Sequence, residues 1–433
     1  MSNPRIVIIG NGISGITAAR HIRKRSDAEI TVIGKESEHF FSRTALMYVY
    51  MGHMRYQDIK PYEDHFWEKN RIGLKHGTVT RVDTERKIVE LTDGGTLTYD
   101  SLIIATGSES NRFGWPGQDL PGVQGLYSLQ DLESMEENTK GIQRAVIAGG
   151  GLIGVEMAEM LRTRNIDVTF LVREHSYWGG ILPKQEAGMI TRHMQEHGVE
   201  LRFNTELEEV LAGDDGRVRA ISTKGGEEIA CGFVGLAVGV HPNIAWLKGS
   251  PEIKTGKGVL VNENLETSAS DVYAIGDCVE FHKHPDPQRK NIEQVWYTGR
   301  MMGETVALTI TGERTAYDPG IWFNSAKFFD IEYQTYGWVR NNLQEGEADH
   351  YWEHPNGRSA LHLVWNAESR VLHGVNSFGF RLRHEVFDRW LREKATVDHV
   401  VQHLHEAAFD PEFFERTEMA VRASFNQATS VIA

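Results

Sequence analysis

Cysteine is almost missing from this chain: 433 residues hold only Cys231 and Cys278, far apart and in no C-x-x-C arrangement. That count excludes a disulfide framework and fits a reducing compartment. Long apolar runs are missing too. No 18 successive apolar residues occur, so a membrane-crossing helix is not expected. The opening M-S-N-P-R-I-V-I-I-G runs straight into a short strand and holds no apolar stretch long enough for a secretory signal. A cytoplasmic, non-spanning protein is the expectation. Positive charge is in deficit, with 46 Lys and Arg against 60 Asp and Glu, for a formal net charge of −14. The basic residues are scattered, which excludes a general nucleic-acid binder, because phosphate affinity needs clustered positive charge. What remains is an ordinary globular composition, 40% apolar and 24% charged. The length allows two or three domains, each with its own core.

Against these absences stands one pattern used twice. Residues 5–10 (R-I-V-I-I-G) read as a buried parallel strand, followed by a helical stretch from Ile13 to Arg25 and a strand from Glu29 to Ile33. The same β-α-β order returns at residues 144–148, 152–164 and Val168 to Val172. A spacing of about 140 residues suggests two nucleotide-binding domains rather than a short-period repeat. Between them, residues 76–104 alternate apolar and polar around turns such as Asp93-Gly94-Gly95, a β-meander signature. The Gly- and Pro-rich residues 112–125 read as an interdomain crossing, and residues 281–290 as a surface loop. From about Tyr317 the chain turns to aromatic-rich strands and then polar helices, as a third domain would.

Each β-α-β unit carries a glycine motif between its strand and its helix. In Gly10-Asn11-Gly12-Ile13-Ser14-Gly15, Gly10 allows the tight turn, Gly12 admits a pyrophosphate to the backbone, and Gly15 packs helix against strand. The helix N-terminus then offers free N–H groups and partial positive charge to phosphates. Alone, such a motif also fits a tight β-α turn without a ligand. Its second copy, Gly149-Gly150-Gly151-Leu152-Ile153-Gly154, sits in the same context. A chain holding two dinucleotides is best explained by hydride passing between them, and an oxidoreductase is expected.

The order G-N-G-I-S-G, Ala105-Thr106-Gly107, G-G-G-L-I-G-V-E at 149–156, G-V-H-P-N from Gly239 and A-I-G-D-C at 274–278 resembles the pyridine-nucleotide-disulfide oxidoreductase superfamily. The resemblance covers about the first 315 residues. It implies an α/β fold: two Rossmann-like dinucleotide-binding domains, for FAD and NAD(P)H, plus a C-terminal α+β domain. The expected division is 1–112 with 244–315 for FAD, 113–243 for NAD(P)H, and 316–433 as a cap or interface domain. Gly276 and Asp277 are then expected beside the FAD ribityl and phosphate region, and Glu156 at the nicotinamide carboxamide.

Within the superfamily, the thiol branches place a redox cysteine after the second strand, where this chain has Thr44. A hydroxyl cannot cycle through thiolate, sulfenic acid and disulfide. Cys231 and Cys278 are therefore read as structural, small buried apolar residues. Ile33-Gly34-Lys35-Glu36 and Phe41-Ser42-Arg43-Thr44-Ala45-Leu46 resemble the V-G-x-E … Y-x-R-P-P-L-S-K stretch of ferredoxin reductases, rubredoxin reductases and apoptosis-inducing-factor-like proteins. That implies Arg43 meeting FAD and Glu36 its adenosine ribose. Residues 291–300 resemble R-x-E-S-x-x-N-A-x-x-Q-G, which puts Glu293 and Trp296 near the flavin. Residues 322–337 resemble the start of that branch's C-terminal domain. Two departures stand out: Tyr48 replaces the lysine beside the flavin, and Asn324 replaces a tryptophan, with Trp322 two residues earlier. Both lie where electrons leave, so the resemblance speaks more for the reductive half-reaction than for an iron–sulfur partner.

The expected partners are NAD(P)H and an unidentified electron acceptor, whether a carrier protein, a quinone or a small oxidant, with a homodimer also open. A type II-like NADH:quinone reductase and a non-catalytic flavoprotein redox sensor of the apoptosis-inducing-factor kind are the rival readings. For the nucleotide, the acidic position that favours NAD falls on Val172, while Arg173 offers a phosphate grip. NADPH is the leaning, with Glu174 the counterweight. No metal is expected. His399, His403 and His405 lack an accompanying motif, and Val400, Val401 and Leu404 read as the core face of their helix. The tail S-F-N-Q-A-T-S-V-I-A is not the apolar, basic helix that docks on bilayers.

Overall fold

A computed structural model describes residues 3–409 and 416–430. The chain divides into two compact units. The first comprises Met1–Asn111, Gly125–Glu137 and Gly239–Pro319, and the second Arg112–Gln124, Asn138–Val238 and Gly320–Ala433.

The first unit is built on a five-stranded parallel sheet in the order Val272–Ala274, Ser101–Ile104, β1 (Arg5–Ile9), β2 (Glu29–Gly34), Ile72–His76. Continuous β-branched runs make strands buried on both faces, and Ile6, Val7, Ile8 and Ile9 are all buried. The expected helix is α1 (Ile13–Arg25). It packs on helix Trp296–Ile310 through glycine: a Cβ at Gly303 would sit 2.6 Å from the Ser14 carbonyl oxygen. The expected meander is the antiparallel sheet Val79–Asp83, Ile88–Leu91, Thr96–Thr98, with Gly94 at φ +79° in its last turn.

The surface-loop reading of residues 281–290 holds for most of the segment, where His282, Lys283, Pro285, Pro287, Gln288 and Lys290 are exposed, but two of its polar side chains turn inward. His284 and Arg289 are buried, because Glu293 accepts a hydrogen bond from Arg289 at 3.3 Å and pairs with His284 at 3.2 Å. A buried carboxylate has to be paired, and these loop residues turn inward to do it.

The second unit repeats the plan. Its parallel sheet runs Val199–Phe203, β4 (Asp167–Val172), β3 (Arg144–Ala148), Phe233–Leu236, Val123–Gln124, with α2 (Leu152–Thr163) following β3. The same unit holds a five-stranded antiparallel sheet, ordered Phe323–Phe328, Ile331–Gly337, Leu372–Phe378, Ala360–Asn366, Glu347–Glu353. Helices His384–Arg392, Val397–Gln402 and Glu418–Ser430 accompany it. Its core gathers Tyr336, Leu363, Val375, Phe387, Trp390 and Val400. Val400, Val401 and Leu404 face inward as expected, while the rings of His399 and His403 stack on each other at 4.2 Å. In the tail, Val421 and Phe425 are buried, and residues 431–433 lie outside the described residues.

Polar contacts join the antiparallel sheet and its turns to the helix Lys184–Glu196 of the same unit. Glu186 is fully buried and meets His362 at 2.7 Å and Asn376 at 2.9 Å, while His362 meets Asp349 at 2.8 Å. Burial works against a charged His362, but hydrogen bonds and charge from the two carboxylates outweigh it and carry the imidazole up to about 9. His193 donates to Asp330, which also faces His197 at 3.7 Å and Arg358 at 3.6 Å.

Candidate active site

The first glycine turn links β1 to α1. Gly10 has φ +118°, a backbone state that L side chains rarely adopt, and a Cβ there would collide with the Ala105 carbonyl oxygen. Gly15 is pressed the same way against the Gly10 carbonyl. Gly12 differs: nothing lies within 4 Å of its Cβ position. It is also the N-cap of α1, with no side chain capping the helix and no acid in the first turn. The start of α1 therefore carries no side-chain cap at Gly12, beside an open Cβ position. Free donors at a helix N-terminus suit a phosphate, so the residues present fit the pyrophosphate of a dinucleotide.

Around this turn the unit gathers most of the expected FAD residues. Arg43 holds Glu36 at 2.6 and 3.0 Å, donates to the Tyr127 carbonyl, and lies 4.4 Å over the Tyr127 ring. Glu36 also accepts from the Leu129 amide at 2.7 Å. Two residues expected to touch different parts of FAD thus form one ion pair. Asp277 accepts from Ser108 Oγ at 3.2 Å, and Gln294 donates to the same hydroxyl at 2.7 Å. Burial raises the Asp277 carboxyl to about 6, opposed by Ser108, Arg43 and Tyr127. A Cβ on Gly276, at φ +77°, would strike Ser14 Oγ. Thr106 donates to the Asn243 carbonyl at 2.8 Å, and Gly107 accepts from the Asn243 amide at 2.9 Å. Gly239 accepts from the Asn111 amide at 3.0 Å. Trp296 begins its helix and approaches Phe40 at 6.3 Å between ring centres. Glu293 sits in the buried group with Arg289 and His284 described above.

The second turn repeats the first in its own unit. Gly149 has φ +113°, and a Cβ there would collide with the Ala237 carbonyl oxygen. Gly154 packs against Phe170, 2.6 Å from its would-be Cβ. Gly151 caps α2 without a side-chain hydrogen bond, and the nearest atom to its Cβ position is 3.8 Å away. Tyr177 donates to the Gly151 carbonyl at 3.3 Å. β4 ends on the buried Val172. Arg173 is mostly exposed and pairs with Glu174 at 3.1 Å, and Glu174 Oε2 lies 3.8 Å from the Cβ position of Gly150. Glu156, on α2, is half-buried. Burial, and then the charge of Glu159, push its carboxyl up to about 7. Trp322 stacks on Trp338 at 5.6 Å in this unit.

Both cysteines are buried. The Cys278 thiol donates to the carbonyls of Ile275 (3.3 Å) and Ile104 (3.6 Å), and burial raises it to about 11 and Cys231 to about 12. Neither holds appreciable thiolate at neutral pH. Among the described residues, no helix is long and apolar enough to cross a membrane. Sequence reasoning missed Ser108, Tyr127, Gln294, Glu159 and Lys327. Only Glu159 left a signal, three residues after Glu156 on one helix face.

Residues 4–303 match the family model described as pyridine nucleotide-disulphide oxidoreductase. The chain is 32% identical over 287 residues to the assimilatory nitrate reductase electron transfer subunit of Bacillus subtilis, covering 65% of this chain and 36% of that protein. It is 30% identical over 332 residues to rhodocoxin reductase of Rhodococcus erythropolis, covering 75% of this chain and 76% of that one. The chain therefore spans about a third of the first relative's length and three quarters of the second's. The solved structure of a ferredoxin reductase from Rhodopseudomonas palustris shares the fold, with TM-score 0.79, 22% identity, and coverage of 95% of this chain and 96% of that chain.

Proposed function

The chain belongs to the pyridine nucleotide-disulphide oxidoreductase family, whose members bind FAD and NAD(P)H, and from that premise we propose an electron-transfer flavoenzyme. It takes hydride from NAD(P)H onto FAD and passes the electrons singly to a small electron-carrier protein, with no thiol in the path. The observation that carries this reading is the pair of uncapped helix N-termini, at Gly12 and Gly151, each open where a pyrophosphate would lie. The carrier-protein acceptor draws support from the names of relatives such as rhodocoxin reductase.

FAD, when bound, accepts the two electrons of the hydride and releases them one at a time. The chain supplies binding and orientation. The N–H groups at the start of α1 hold the pyrophosphate, and Ala105, Thr106 and Gly107 shape the turn's far wall. Arg43, fixed by Glu36 and Tyr127, presents its guanidinium to FAD, and Glu36 retains lone pairs for the ribose. Asp277 accepts hydrogen bonds from the ribityl chain. Glu293 is held rigid by Arg289 and His284 and steadies the segment that carries Trp296 to the flavin. Trp322 stands in for the aromatic that Asn324 lacks.

At the second turn, the α2 N-terminus takes the nucleotide pyrophosphate and Glu156 orients the nicotinamide carboxamide. Orientation of this kind is where a protein contributes most to hydride transfer. Arg173 neutralises Glu174, so an arriving 2′-phosphate meets a guanidinium beside the glycine turn, and NADPH is the preferred donor.

The purified protein is expected to be yellow, to release FAD rather than FMN on denaturation, and to bleach anaerobically with NAD(P)H. Re-oxidation is then compared between ferredoxin- and rubredoxin-type carriers, a quinone and dioxygen, with the carriers expected fastest. A colourless protein that FAD cannot reconstitute would sink the reading.

A further inference from the structure

Glu156 is one of two carboxyl groups on the same face of α2. Glu159 lies three residues on, where helical side chains are neighbours. Both are half-buried, and among the described residues Lys327 is the ammonium group that acts on both. Lys327, from the antiparallel strand Phe323–Phe328 of the same unit, meets Glu159 Oε1 at 2.7 Å. Tyr177, from the segment after β4, donates its hydroxyl to the Gly151 carbonyl, and its phenol is raised by burial and by the charge of Glu156. His197 and Asp330 act on Glu159 from further off. Two crowded carboxyls sharing one cation cannot both ionise cheaply, and the unpaired one keeps its proton longer.

We propose that Lys327 is a positioning residue for the nicotinamide: by holding Glu159 as its counter-ion, it leaves Glu156 as the carboxyl that carries a proton to the carboxamide. This rests on the reading of Glu156 as the carboxamide partner. The consequence follows from donor and acceptor counting. A neutral carboxyl donates its O–H to the carboxamide oxygen and accepts from the carboxamide N–H, two complementary bonds that fix which way the amide faces. An ionised carboxylate can only accept, and it repels the carboxamide oxygen. The protonated form therefore binds the reduced nucleotide better, and affinity falls as pH rises through about 7, where burial and Glu159 place the Glu156 carboxyl.

The test uses the holoenzyme and tetrahydro-NADH, which lacks a 2′-phosphate that would titrate in the same range, with dissociation constants measured by calorimetry from pH 5.5 to 8.5. The parent is expected to show one ionisation near neutrality, tight on the acid side. Glu156→Gln, which donates and accepts without titrating, should bind well with a flat profile. Lys327→Met removes the counter-ion, so the carboxyl pair grips a proton harder and the limb moves up by at least one pH unit. Glu159→Gln removes the competing charge and moves it down by at least one unit, while Lys327→Arg leaves it in place. A structural role alone would weaken binding at all pH values without moving the limb. If Lys327→Met does not fold, Glu159→Gln and Lys327→Arg decide the matter alone. A limb that survives Glu156→Gln overturns the carboxamide reading, and this proposal with it. A limb abolished by Glu156→Gln, but unmoved by the Lys327 and Glu159 changes, overturns this proposal only.

Discussion

At the first glycine turn three further segments of its unit close in: the Ala105 carbonyl against Gly10, Gly276 against Ser14, and Gly299 and Gly303 against the first turn of α1. At the second, the strand-end segment at Ala237 packs on Gly149 and Gly154, and Glu174 and Tyr177 line the rest. The turns themselves are near copies, in φ, in the uncapped helix and in the open middle glycine. The difference lies in enclosure. A ligand at the first turn is surrounded by residues that already satisfy one another, such as Arg43 with Glu36 and Asp277 with Ser108. A ligand at the second faces an exposed arginine and a carboxyl close to its titration point. On the proposed function, one device serves a cofactor that stays at the first turn and a substrate that must leave the second, and the neighbours decide which.

Matched substitutions at the open glycines offer the strongest attempt to break that comparison. A Cβ meets no clash at Gly12 or at Gly151, yet a valine side chain there would occupy the place proposed for the pyrophosphate. Gly12→Val should yield a folded protein with less than about a tenth of the parent's flavin. Gly151→Val should keep its flavin and lose NAD(P)H affinity at least about tenfold, roughly 1.4 kcal/mol. Flavin content by absorbance and nucleotide titration read both outcomes. Equal flavin loss in the two variants would mean the turns are not specialised.

Nucleotide choice sharpens the comparison at the second turn. Losing the Arg173 phosphate contact should cost about 2–3 kcal/mol, so Arg173→Ala should lower the ratio of kcat/KM for NADPH over NADH by tens of fold. NADH turnover itself should barely change. A parent that prefers NADH, with a ratio indifferent to the substitution, would transfer the recognition role to Glu174.

The smallest effect is expected where neither turn is touched. Cys231→Ser with Cys278→Ser should leave NAD(P)H-driven flavin reduction within a few-fold, because both thiols are buried and protonated. A loss on the order of a thousandfold with the fold intact would show a thiol in the electron path.

Both β-α-β units were legible in the sequence almost to the residue: Ile13–Arg25 and Arg144–Ala148 fall where periodicity put them. Strand and helix patterning is local, set by side-chain sterics and by which face must leave water. The glycine turns are local for the same reason, since positive φ at Gly10 and Gly149 is a property of the backbone and its nearest neighbours. Partner choice among charged groups is not local. Residues 281–290 are the largely exposed loop expected, yet nothing local announces that His284 and Arg289 are buried against Glu293. Arg43 with Glu36 could be suspected from seven residues' spacing, but the Tyr127 carbonyl that completes the group lies 84 residues away. Lys327 reaches Glu159 across 168 positions, and nothing near either residue announces the other. The sequence alone determined the two nucleotide-binding frames and the residue types at their turns. Which carboxyl is paired, which is left to hold a proton, and how tightly each turn is enclosed were decided only by the tertiary structure, because desolvation and charge pairing depend on distance in space.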